Sequence, residues 1–193
     1  VAAAAEIYRP IGPHTVSDWL ALPPAADGSR VELIYGYLHL TPAPSGEHQF
    51  ASSLLIDQIR LATRGAGRAD LYVVPAINVE ISTAWRTALI PDVVVLNTRP
   101  VGVAFAPETV VLVVEVWSPG NDRHERETKR AGYAAAGVPF LWTVTQDRNG
   151  AMLTAHRLVE GTYEVENIAT AAARATITAA PVPVVVDLAE FTR

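Results

Sequence analysis

The sequence contains no cysteine. Disulfide frameworks, thiolate metal sites and cysteine nucleophiles are therefore excluded, and any bound metal must take oxygen or imidazole ligands. Lysine is nearly absent too: Lys129 is the single one, and arginine supplies every other fixed positive charge. No apolar run approaches the roughly 20 residues that span a bilayer, and the apolar opening at residues 1–5 is short and has no basic leader. A cytoplasmic protein, neither secreted nor bound to a membrane, is expected. There is no glycine-rich phosphate loop, G-x-S-x-G elbow or H-E-x-x-H pair, so the enzyme classes built on them lose their support. The formal net charge of -5 differs from the basic character of proteins that coat nucleic acid non-specifically. A nuclease stays open, because metal-collecting carboxylates themselves add negative charge.

What is present fits one α/β domain over residues 1–193, with 50% apolar residues to build its core. Residues 15–22 read as a short helix with Thr15 as N-cap and Asp18 three positions on, stopped by Pro23 and Pro24. Residues 31–40 read as a hairpin broken near Gly36. Ser45 can cap a helix over 47–64, whose apolar stripe is Phe50, Leu54, Leu55, Ile59 and Ala62. Strand-like runs follow at 71–81, 89–96 and 110–117, then a helix over 123–136 and a strand over 140–145. The order helix, three strands, helix, strand forms the expected core. The remainder reads as a second hairpin, 152–158 with 163–166, and a last strand over 182–188. The alanine-rich stretch 169–175 carries no signal.

Two acids stand on adjacent core strands, Asp92 after Pro91 and Glu115 inside an otherwise apolar run. If those strands are antiparallel neighbours, both carboxylates reach one sheet end and can hold Mg²⁺, which takes a few carboxylates plus water and phosphate. The plain alternatives are a turn cap for Asp92 and an arginine pair for Glu115. An acid among Val113, Val114 and Val116 is costly to bury unless paired or metal-bound, which favours a site for Glu115. Lys129 has Glu125 and Tyr133 four residues to either side on one helical face. An ordinary Glu-Lys pair there is worth about 0.3–0.5 kcal/mol. Against that reading, a chain that otherwise uses arginine keeps lysine at this one place, where a compact charge with a tunable pKa would matter. Taken alone, Glu32 and His48 read as surface residues. Arg123, Arg126 and Arg130 read equally as phosphate contacts or as a solvated face.

The segments VELIYGYL, EH at a helix start, PDVVVL, VVEVWSPG and KRAGYAAAGVPFLW, in this order from about residue 31 to 142, resemble the Uma-type restriction endonucleases of the PD-(D/E)xK superfamily. GTYEV and VVVDLAEF continue the likeness. The resemblance implies a restriction-endonuclease-like fold, with the N-terminal hairpin and C-terminal strands added to its core. It implies that Asp92 and Glu115 bind Mg²⁺ or Mn²⁺, with the Val116 carbonyl as a further ligand. The third element, a lysine two residues after the acid, would fall at Trp117, and in this family Lys129 from the following helix takes its place. Glu32 and His48 match positions that line the same site, and Glu125 a position where the family often has Asp. The implied activity is metal-dependent phosphodiester hydrolysis, in DNA, by a homodimer. The competing reading is a catalytically inactive nuclease-fold module that binds nucleic acid or a protein partner, and fold alone does not decide between them.

Overall fold

The computed structural model describes residues 12–118, 122–147 and 150–192. The opening at residues 1–5 lies outside them. Helix α1 (Val16–Leu20) starts on a reciprocal capping box between Thr15 and Asp18. Strands β1 (Arg30–Ile34) and β2 (Tyr37–Thr41) pair antiparallel around the two-residue loop Tyr35-Gly36. Both loop residues have positive φ, 51° and 85°, as a type I′ turn requires. Helix α2 (Gly46–Gly65) is capped by the Ser45 side chain, which accepts from the His48 amide. There follow β3 (Tyr72–Pro75), β4 (Asn78–Ser82), β5 (Thr87–Leu89), β6 (Val93–Leu96), β7 (Ala104–Phe105) and β8 (Val110–Trp117). Asp122 caps α3 (Arg123–Ala135), which leads to β9 (Phe140–Asp147), β10 (Gly150–Val159), β11 (Thr162–Thr170), β12 (Ala175–Ile177) and β13 (Val184–Val186).

The strands form a six-stranded sheet in the order β11-β10-β9-β8-β6-β3, a five-stranded sheet in the order β2-β1-β5-β4-β7, and the small pair β12-β13. In the larger sheet β8 runs antiparallel to β6 and parallel to β9, so α3 is the crossover between two parallel neighbours. One face of this sheet packs Leu112, Val114, Val93 and Val95 against Leu55 and Ile59 of α2. The opposite face packs Val94, Val113 and Leu141 against Tyr133 of α3. Glu115 alternates with Val114 and Val116, so its side chain falls on the α3 face.

Two of the expected core strands prove to be divided. The run 71–81 breaks at Ala76, which has φ 40°, into β3 of the large sheet and β4 of the smaller one. The run 89–96 breaks at Pro91-Asp92 into β5 and β6, which again belong to different sheets. Continuous apolar patterning hid both breaks, because the residues on either side are buried in whichever sheet they join. Along α2 the expected stripe is in place except at its first position: Leu55 and Ile59 are in the core, and Leu54 and Ala62 pack against it. Phe50 is 46% exposed, whereas Ala51, Ser52, Ile56 and Thr63 are buried.

Candidate active site

The site lies where the two sheets meet. The register Val93↔Val114 between β6 and β8, continued by one residue, sets Asp92 opposite Glu115. The amide of Val116 donates to Asp92 Oδ2 at 2.9 Å, which fixes this pairing. In an extended strand the N–H and C=O of one residue lie on the same side, so the Val116 carbonyl also faces β6. Asp92 Oδ1 is 2.7 Å from the Arg30 guanidinium and 2.8 Å from His48 Nε2. The imidazole contact is close without the alignment of a hydrogen bond, which leaves Nε2 buried and unsatisfied. Burial alone would raise the pKa of Asp92, but His48, the Val116 amide and Arg30 outweigh it and hold the carboxyl below the ordinary aspartate range.

Glu115 is 3% exposed. Tyr133, fully buried one helical turn after Lys129, donates its hydroxyl to Glu115 Oε1 at 2.5 Å. Burial pushes the Glu115 carboxyl up to about 8, against the pull of Lys129. The Lys129 amine is 2.7 Å from Glu32 Oε2 and 3.7 Å from Glu115 Oε1, and it stands 6.0 Å from the centre of the Trp117 ring. Desolvation would lower its pKa, but Glu115 and Glu32 outweigh that and hold it above the ordinary lysine value. Glu32 reaches across from the smaller sheet, its Oε1 accepting from the Ile90 amide at 2.7 Å. These side chains open into a cleft of about 400 Å³ whose rim carries Leu40, Pro42, Pro44 and Ser118.

All five side chains singled out in the sequence, Glu32, His48, Asp92, Glu115 and Lys129, line this one cleft, with Glu125 beside them. Arg30 and Tyr133 are the contributors whose roles went unread. Arg30 sits two positions before Glu32 on the same strand face, and Tyr133 four after Lys129, so both periodicities were available. Of the three helical arginines, Arg126 donates to the Ser118 carbonyl and stacks 5.6 Å from Trp117, Arg130 donates to the Tyr163 carbonyl, and Arg123 pairs with Glu127.

Residues 16–185 match the Uma2 family, described as "putative restriction endonuclease". The chain belongs to the Uma2 family. Among solved structures, a crystal structure titled as a "putative nuclease belonging to DUF820" from Anabaena variabilis superposes with a TM-score of 0.64 at 18% identity, covering 79% of this chain and 84% of that one. At that identity the likeness establishes the fold, which is restriction-endonuclease-like. No curated protein matches the chain. Like the rest of the Uma2 match, the cleft residues fall inside residues 16–185.

The donor set suits a small hard cation. Among the described residues no three Asp, Glu or His side chains close on a common ligand position. Mg²⁺ asks for less, since one or two carboxylates with water and substrate phosphate satisfy it. Asp92, Glu115 and the Val116 carbonyl provide that much, and no helix among the described residues is long and apolar enough to cross a membrane.

Proposed function

We propose that this Uma2 protein is a metal-dependent endonuclease that hydrolyses phosphodiester bonds in DNA, using Mg²⁺ or Mn²⁺ held by Asp92, Glu115 and the Val116 carbonyl. The observation that supports this most strongly is the convergence of two cross-strand acids and a buried lysine in one open cleft. A cation bound there supplies positive charge to the scissile phosphate and lowers the pKa of attacking water. Hydrolysis adds that water to phosphorus with loss of a proton and breaks the bond to the leaving sugar oxygen, which takes up a proton from solvent. Lys129, anchored by Glu32 at 2.7 Å, orients or deprotonates the incoming water. Tyr133 fixes Glu115 through one oxygen and leaves the other for the cleft. His48 supports Asp92 from the start of α2.

Titration calorimetry tests the cation site. Mn²⁺ should bind the wild type, and binding should be lost in Asp92→Ala with Glu115→Ala, while equal binding in that double variant would sink the assignment. Wild-type protein that binds Mn²⁺ but cuts neither DNA nor RNA would favour the inactive nuclease-fold module. A homodimer belongs to the same reading, since two paired centres would cut both strands of a duplex. Sedimentation at micromolar concentration should give twice the chain mass, and a single monomer boundary would remove this part.

A further inference from the structure

Arg30 stands apart from the other groups that touch Asp92. The Val116 amide belongs to a central strand, and His48 is buried in the first turn of α2. The Arg30 side chain is 20% exposed at the cleft mouth, and among the described residues its hydrogen bond is to Asp92 Oδ1 alone. Strand β1 thus sends a cation to Asp92 from position 30 and an anion to Lys129 from position 32, so each half of the cleft has a counter-charge from the smaller sheet. The two differ in freedom. Glu32 is 2% exposed and held by the Ile90 amide as well as by Lys129, whereas Arg30 has a flexible stem and solvent within reach.

We infer that Arg30 is a movable counter-ion: it neutralises Asp92 in the cation-free cleft, and when a divalent cation takes Oδ1 it is released to the mouth to pair with a phosphate of the substrate strand. This rests on the nuclease reading above. Asp92 Oδ1 is already met by the Arg30 guanidinium at 2.7 Å and by His48 Nε2 at 2.8 Å, so a cation that takes this oxygen competes with the guanidinium. The released guanidinium has a planar fork that matches two phosphate oxygens, and its starting position at the rim places it beside any strand entering the cleft. Competition makes the two bindings reciprocal: whatever Arg30 gains from Asp92, the cation must overcome.

The test uses the whole chain and Mn²⁺ alone. Arg30→Met should melt at a lower temperature than wild type without cation, because a buried carboxylate loses its partner. It should bind Mn²⁺ at least about fivefold more tightly in calorimetry, the low end for coupled sites. Mn²⁺ should also raise its melting temperature more than that of the wild type. If Arg30 only holds Asp92 in place, the variant binds Mn²⁺ equally or more weakly, and the inference is overturned. Arg30→Gln, which keeps a donor without the charge, gives the same reading should Arg30→Met not fold. The phosphate half is measured as duplex DNA affinity in Mn²⁺, comparing Lys129→Arg with Lys129→Arg carrying Arg30→Met. A severalfold loss is expected, and unchanged or undetectable DNA binding in both overturns that half. Wild-type protein that binds no Mn²⁺ removes the cation reading itself, a different result from wild type that binds while Arg30→Met gains nothing.

Discussion

Lys129 sits in a space only 6% exposed, bounded by two carboxylates and an indole. Arginine there keeps the charge but brings a longer, planar head that cannot place a single donor at the same point. Lys129→Arg should lower cleavage about a hundredfold or more, the usual effect of removing one well-placed electrostatic donor, and leave Mn²⁺ affinity within a few-fold. Cleavage of mixed DNA and RNA substrates, with circular dichroism as the folding control, reads it; full activity would reject the role. Lys129→Met should lose cleavage as well and also melt earlier, since Glu32 and Glu115 would remain buried without their cation. The sequence marked Lys129 by its rarity and Glu115 by its apolar neighbours, two signals that survive without coordinates. The signal at Arg30 is fainter, its place two positions before Glu32, because one arginine among many has no contrast and its partner is 62 positions away.

Among the elements, the β1-β2 hairpin sets the site, because it carries both Arg30 and Glu32. Its turn depends on Gly36, at φ 85°, where an added Cβ would lie 2.8 Å from the Pro13 Cβ and 3.3 Å from the His14 carbonyl. Gly36→Ala should therefore destabilise the fold by about 1–2 kcal/mol from left-handed strain alone, with the close contact adding to it. Urea unfolding followed by tryptophan fluorescence measures the change, and an unchanged midpoint would contradict it. The helices and this hairpin were legible because caps, glycine and apolar period agree locally. The divisions inside 71–81 and 89–96 were not, since strand-switching there is decided by which sheet receives each half. Nothing in the local alternation of Val73, Val79, Leu89 and Val93 distinguishes one sheet from the other.

At the scale of the molecule, stability should fall on the acid side for a reason outside the cleft. His156 is 3% exposed, with Nδ1 3.1 Å from the Leu141 carbonyl and its ring edge-on to Tyr163. Burial lowers its pKa below the ordinary value of 6.5, partly opposed by the Leu141 carbonyl and reinforced by the Arg130 charge. Above the unfolded value both states are neutral and the contribution is complete. As pH drops below 6.5 the unfolded chain takes a proton that the native ring resists, so stability is lost. The slope from one such group reaches at most about 1.4 kcal/mol per pH unit. Urea midpoints between pH 5 and 7.5 should fall more steeply for wild type than for His156→Gln, and parallel profiles would contradict this. The placement of the cleft between two sheets also has a bearing on biosynthesis. Its groups come from β1, α2, the start of β6, β8 and α3, so Lys129 is made about a hundred residues after Arg30, the first of them. Bringing such distant segments together costs loop-closure entropy before their contacts repay it. The cleft is therefore complete only once both sheets and α3 have come together.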